Sequence, residues 1–273
     1  MRSGRRHDHA PYEAIRATLL DALGPDLADR KVGGRSVVDA LVTAVASGEL
    51  LWTEAGQLTL PEAKAANVSP WIFVRGTANP RRHYPSCRFL LTLLHRILYR
   101  ESAVPLGCRD CYKVKVEPRS LAELVAIRDI SPRLPCRSKC GSSLNHLVSQ
   151  GAWAAFYYVD GLEMAFAVHD LVAAEMRDHP RLRELPKISI KRGCTEFEMR
   201  LGPSNEWSFD ETLIPLERAL RPLFVSPERD ADKQATFLSW IATAYAIGDD
   251  SYLELTSGKR LYPPTVDYLE RKP

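Results

Sequence analysis

Cys111–Pro132 reads CYKVKVEPRSLAELVAIRDISP, and the change of period inside it decides the fold. In its first half Tyr112, Val114 and Val116 alternate with Lys113 and Lys115, the two-residue repeat of a strand that turns one face to a core. Ser120 then stands where a helix cap belongs, with Glu123 at the capping-box position, and the apolar spacing through Ile130 predicts a helix. Pro132 and Pro135 close it.

The same alternation of types continues outward. Ala152 to Val159 has the apolar run of a buried strand, Asp160 can cap a helix from Leu162 to Met176, and Lys187-Ile188-Ser189-Ile190-Lys191 opens another strand that can resume at Phe197. The middle of the chain therefore reads β-α-β-α-β. That order predicts an α+β fold, a central small sheet with packed helices, for which a ferredoxin-like arrangement is one solution.

On the N-terminal side, Ile15, Leu19, Leu20 and Leu23 recur at helical spacing until Gly24-Pro25, and Val37, Val38, Leu41, Val42 and Val45 mark a second helix begun near Ser36. Leu50-Leu51-Trp52 and Leu58-Thr59-Leu60 flank Glu54-Ala55-Gly56 as a hairpin. Two helices and a hairpin make residues 1–64 a small helical unit of winged-helix-like order, with 65–273 as the main α+β domain. Residues 65–85 read as an irregular connector made basic by Arg81, Arg82 and His83, with Arg88 just beyond. Phe89 to Tyr99 has the broad apolar face of a buried helix. Thr212 to Phe224 and Lys233 to Ile247 are helical, and the segment from Asp249 reads as an extended tail packed back on the body.

Of the 273 residues, 45% are hydrophobic and 26% charged, so neither a disordered chain nor a membrane bundle is expected. No apolar run approaches a bilayer span. The basic N-terminus is not followed by the apolar stretch of a secretion signal, which places the expectation in the cytoplasm. The net charge of +3 permits anionic partners without requiring them.

In a reducing compartment six cysteines are read as ligands or reactive groups before disulfides. Cys108 and Cys111 form a C-x₂-C pair beside Gly107, a spacing that lets two thiolates turn toward one ion. Cys136 and Cys140 follow after a strand and a helix that can return the chain to its start. Cys194 comes after Gly193, whose freedom can re-aim the thiol at a bulge. Four thiolates close a tetrahedral zinc site or a four-iron cluster. The expected set is Cys108, Cys111, Cys140 and Cys194, with Cys136 as the alternate ligand in a two-knuckle zinc arrangement. Cys87 opens an apolar helix and is expected to be a small buried residue.

Ligands so widely spread favour a [4Fe-4S] cluster over a self-contained zinc finger, and Arg109, Lys113, Arg137, Lys139, Lys191 and Arg192 would offset the thiolate charge. Glu196 and Glu198 would share a strand face as an acid–base pair or as two solvated carboxylates. His169-Asp170 reads as a polar-face pair, His95 as a core histidine, and His146 as a group near the second cysteine loop. Phosphate-loop, dinucleotide, zinc-protease and nucleophile-elbow motifs are missing, so no catalytic residue or reaction is named.

Two functions of different kinds follow. One is a cysteine-ligated iron–sulfur protein with a redox or cluster-dependent role. The other is a zinc- or cluster-stabilised, non-enzymatic subunit that binds nucleic acid or a protein partner, alone or in a larger assembly.

Overall fold

The structure, a computed structural model, describes residues 10–61, 69–74, 86–144, 151–226, 232–263, 266 and 268. Along the chain run α1 (Ala10–Ala28), β1 (Lys31–Val32), β2 (Arg35–Ser36), α2 (Val37–Ala46), β3 (Leu51–Trp52), β4 (Leu58–Thr59), β5 (Trp71–Val74) and a π-helix (Phe89–Leu98). Then come β6 (Cys111–Glu117), α3 (Leu121–Ile130), β7 (Arg137–Ser142), β8 (Trp153–Asp160), α4 (Leu162–Arg177), β9 (Lys187–Arg192), α5 (Thr195–Leu201), α6 (Ile214–Leu220), β10 (Phe224–Val225), α7 (Lys233–Ala246) and α8 (Tyr252–Leu255). The protein is α+β. Among the described residues no helix is long and apolar enough to cross a membrane.

The chain forms two compact units. The first gathers the described parts of residues 1–64, 82–111 and 192–229, and the second those of 65–81, 112–191 and 230–273. Residues 1–64 are expected from the sequence to form a unit of their own, with 65–273 as the main domain. Residues 82–111 and 192–229, however, join the N-terminal unit.

The second unit is built on a five-stranded sheet of order β5-β7-β8-β6-β9. Leaving β5 aside, β6-α3-β7-β8-α4-β9 follows the β-α-β-β-α-β path of a ferredoxin-like arrangement. The sequence pattern did not predict β7. Its core-facing residues are Ser138, Cys140 and Ser142, small polar side chains that hide the apolar alternation of a strand. Register fixes the faces: Ile72 lies opposite Cys140 and Cys140 opposite Ala155, while Phe73 meets Lys139 and Lys139 meets Phe156.

One face of this sheet, with Ile72, Val114, Val116, Cys140, Trp153, Ala155, Tyr157 and Val159, packs into a core with α3, α4, α7 and α8. The α3 cap forms as its sequence predicts, with Ser120 Oγ accepting the Glu123 N–H at 3.3 Å. The segment expected as an extended tail instead forms α8 and finishes that cap: the Leu121 N–H donates to Asp249 Oδ2 at 2.6 Å and the Ala122 N–H to Ser251 Oγ at 3.0 Å. Asp249 also accepts the Trp153 indole N–H at 3.1 Å. The start of α4 is a correction of another kind. Its cap is Gly161, at φ +81°, because Asp160 remains the last residue of β8.

In the first unit α1 breaks at Gly24, whose φ of 70° and ψ of 162° leave the helix just before Pro25. Ser36 caps α2 through the Asp39 N–H. β3 and β4 pair antiparallel as the expected hairpin, and β10 adds to β4 in parallel. Leu19, Val37, Leu41, Leu58, Leu94, Phe197 and Leu216 share its core. The exposed positions of α2 are Asp39, Thr43 and Ala46, none of them a cation, so this helix offers nothing to a phosphate-lined groove. The stretch expected to resume as a strand at Phe197 is α5, and on a helix Glu196 and Glu198 no longer share a face.

Candidate thiol loop and cation–aromatic face

The cysteine set divides between the units. Cys108 ends a single tight turn, Leu106–Cys108, started by Pro105. Glu217 on α6 anchors that turn by accepting the Leu106 N–H at 2.8 Å, the Gly107 N–H at 3.3 Å and the Tyr99 hydroxyl at 2.8 Å. Burial, then the Glu217 charge, hold the Tyr99 phenol above its ordinary pKa.

Beyond Cys108 the loop is held from a second side. Arg192 donates through Nε to the Arg109 carbonyl at 2.9 Å and through Nη1 to the Ser204 carbonyl at 3.1 Å, and the Gly193 N–H donates to the Cys111 carbonyl at 2.7 Å. Arg109 itself pairs with Glu211 at 3.0 Å. Gly193 is needed there: its φ is +62°, and a Cβ would stand 2.5 Å from the Trp207 ring. These bonds bring the backbones of Cys111 and Cys194 side by side, with Cys108 one turn upstream.

Cys136 and Cys140 sit in the apolar core of the second unit. The Cys140 thiol faces the Ile72 carbonyl at 4.0 Å, a sulfur contact at the limit of hydrogen bonding. Burial pushes both thiols up to about 12, which opposes the thiolate form that metals require. Cys108, Cys111 and Cys194 are thiol donors of the first unit, and Cys140 and the alternate Cys136 lie in the apolar core of the second. Among the described residues no three His, Cys, Asp or Glu side chains gather as an ion-holding group.

The other residues singled out from sequence fall in varied places. Cys87 is exposed rather than buried, since it precedes the apolar face of the π-helix. His95 is a core histidine, with Nδ1 2.8 Å from the Ala103 carbonyl and its ring edge-on to Phe197. His169 and Asp170 pair on the surface at 3.0 Å. His146, Arg81, Arg82 and His83 lie outside the described residues.

The second face of the five-stranded sheet was not foreseen. Strand parity places Trp71, Phe73, Arg137, Lys139, Phe156, Tyr158, Lys113, Lys115, Lys187 and Lys191 on it, with Glu117 and Asp160 as its carboxylates. Among the described residues of this unit, every helix packs on the opposite face. Cations lie over rings across the strands. Lys139 Nζ is 4.2 Å from the Trp71 ring centre and 5.2 Å from that of Phe156, the Arg137 guanidinium is 5.2 Å from Phe73, and Lys113 is 5.5 Å from Tyr158.

Trp71, Tyr158 and Lys113 are buried in this array, while Phe73, Arg137 and Lys187 are exposed and Phe156, Lys139 and Lys115 half-buried. Glu117 takes Lys115 at 2.6 Å and Lys187 at 3.2 Å. Burial works to raise its pKa, and the two lysines overcome this and hold it below the ordinary carboxylate value. The sequence signal was present in the Lys113-Val114-Lys115 alternation and in Phe156-Tyr157-Tyr158, but only register puts these residues beside Phe73 and Lys139.

Comparison with family models, with curated proteins and with solved structures returned no match.

Proposed function

We propose that the protein is a non-catalytic subunit that binds single-stranded nucleic acid on the second face of its five-stranded sheet. The observation that carries this reading is the cation–aromatic array spread over β5, β7, β8 and β6. Of its rings Phe73 is exposed and Phe156 half-buried, a surface on which bases can stack, with Arg137 and Lys139 beside them to meet the phosphates. Six cations against two carboxylates leave the face positive, and the polyanion supplies the complementary charge. Stacking and phosphate contacts tolerate many sequences, so the reading names a single strand rather than a sequence.

Fluorescence anisotropy with a labelled single-stranded oligonucleotide tests it. Binding should weaken steeply as salt rises, and the double substitution of Lys139→Gln and Phe156→Ala should lower affinity tenfold or more. No binding of the unaltered protein at low salt would end the proposal.

A second reading is favoured by the anchored loop at Cys108 and Cys111 and its bond to Gly193 beside Cys194. In it Cys108, Cys111 and Cys194, which do not gather as an ion-holding group where they stand, would close on a zinc or iron–sulfur centre that would supply electron transfer or structural cross-linking. Glu217, Arg192 and Gly193 fix the backbone that presents the thiols. Anaerobic preparation with metal and sulfide analysis decides this. A stoichiometric centre abolished by Cys111→Ser supports it, and protein free of both metals refutes it.

A further inference from the structure

The first unit contains a pocket of about 190 Å³ between α2, the π-helix and the β1–β2 hairpin. Its apolar wall includes Ala40, Ala44 and Leu98, and its charged groups are Arg35, Arg96, Arg100 and Glu49. Among the described residues none of the three arginines has an ion-pair or hydrogen-bond partner, in contrast to Arg109, Arg119 and Arg192 elsewhere. All three line one hollow, and among the described residues no carboxylate pairs with them: Glu49 accepts instead from Ser47 Oγ at 3.2 Å.

The backbone that places them departs from ordinary geometry. Arg96 and Leu98 belong to a ten-residue π-helix, a rare form frequent at functional sites. It ends with the Tyr99 N–H donating five residues back to Leu94 at 2.7 Å. Arg100 and Glu101 then follow at φ 49° and 63°, left-handed conformations that non-glycine residues adopt at a cost. Gly33, at φ +57°, makes room for this turn, because a Cβ there would lie 2.7 Å from the Leu98 carbonyl and 3.0 Å from Arg100 Cγ.

We infer that this pocket binds a phosphate group. Its four charged residues leave an excess of two positive charges, which balances the dianion of a phosphate monoester and attracts the single charge of a strand phosphodiester. The volume is below the roughly 300–1,000 Å³ of sites that enclose whole drug-sized ligands, so the pocket takes a phosphate with little attached. That phosphate is either a free phosphate ester or a link of a nucleic-acid strand.

Pyrophosphate is the probe. It is titrated at constant ionic strength against the full-length protein, with binding followed by ³¹P resonance and by thermal unfolding. A saturable response is expected that matched chloride does not produce. Arg96→Gln and Arg100→Gln should each weaken it tenfold or more while leaving the unliganded melting temperature unchanged, since among the described residues neither side chain has an ion-pair or hydrogen-bond partner to lose. Arg183→Gln, on the other unit, should bind as the unaltered protein does. If the three proteins respond alike, or if chloride reproduces the effect, the inference fails. An oligonucleotide without terminal phosphate separates the two sources: weakened binding in the pocket variants assigns a strand phosphate, and unchanged binding with loss of pyrophosphate assigns a free ester. The double substitution of Lys139→Gln and Phe156→Ala leaves the pyrophosphate response intact, so failure of the sheet-face reading is scored separately.

Discussion

On one face of the five-stranded sheet Val114, Val116, Trp153 and Tyr157 meet α3, α4, α7 and α8; on the other, Lys139, Arg137 and Lys113 lie over Trp71, Phe73 and Tyr158. The same strands supply both, residue by alternate residue. The apolar face has traded most of its water contact for packing, whereas the cationic face keeps Phe73, Arg137 and Lys187 exposed, two of them charges that helix packing would have buried at high cost. The comparison separates stability from binding. Substitutions on the first face should be felt in unfolding and those on the second in ligand affinity.

The sharpest way to break that division is Trp153→Ala. It removes a fully buried ring and the indole N–H donated to Asp249, and urea unfolding should show a loss of about 3–5 kcal/mol. A loss below about 1 kcal/mol would mean that the helix-packed face is not the structural one.

Alkaline titration tests the same face through its cysteines. Cys136 and Cys140 are raised to about 12 in the folded protein, whereas thiols in the unfolded chain titrate near about 8.5. Between those values the unfolded chain has lost protons that the folded one keeps. Their contribution is therefore complete below the unfolded value and is lost as pH rises through the folded one, at up to about 1.4 kcal/mol per pH unit for each thiol. Denaturant midpoints measured from pH 8 upward should fall more steeply in the unaltered protein than after Cys136→Ala with Cys140→Ala. Equal slopes would place these thiols in water or on a metal.

Phe156→Ala alone sharpens the other side. Loss of one stacking ring should weaken oligonucleotide binding by about 1–3 kcal/mol. The ring is half-buried, so unfolding should change less than it does for Trp153→Ala.

The smallest effect belongs to Glu117. Its folded pKa is depressed, so its stabilisation is present above the unfolded carboxylate value near about 4.3 and disappears as pH falls through the folded value. Glu117→Gln should flatten that acid limb by no more than about 1 kcal/mol, because Lys187 is largely exposed and the pair is screened. It also frees Lys115 and Lys187, so oligonucleotide affinity should rise slightly at low salt.

The cysteines show where spacing stops being informative. Cys108 with Cys111 and Cys136 with Cys140 look alike on paper, each a close pair beside a glycine or proline. One pair lies on a turn anchored by Glu217 and Arg192; of the other, Cys136 precedes a strand and Cys140 lies within it on the inner face that joins the core. What separates them is β7, and β7 was hidden because Ser138, Cys140 and Ser142 carry its buried face. Gly193 was legible as a break in the strand pattern. That the break turns into α5, under the Trp207 ring, depends on a residue fourteen positions away.

The sequence by itself determined the local elements whose partners are close at hand: the period of β6, the Ser120 cap of α3, the Ser36 cap of α2, the hairpin at 51–59 and the break at Gly24. Each rests on contacts within a few residues, where side-chain type and spacing dictate the backbone. Strand order, the division of the chain into two interleaved units, the gathering of rings and cations on one sheet face and the three arginines around one hollow were decided only by tertiary structure. These pair residues tens of positions apart, such as Phe73 with Lys139, and register between distant strands is set by the burial of the whole face rather than by any one residue on it.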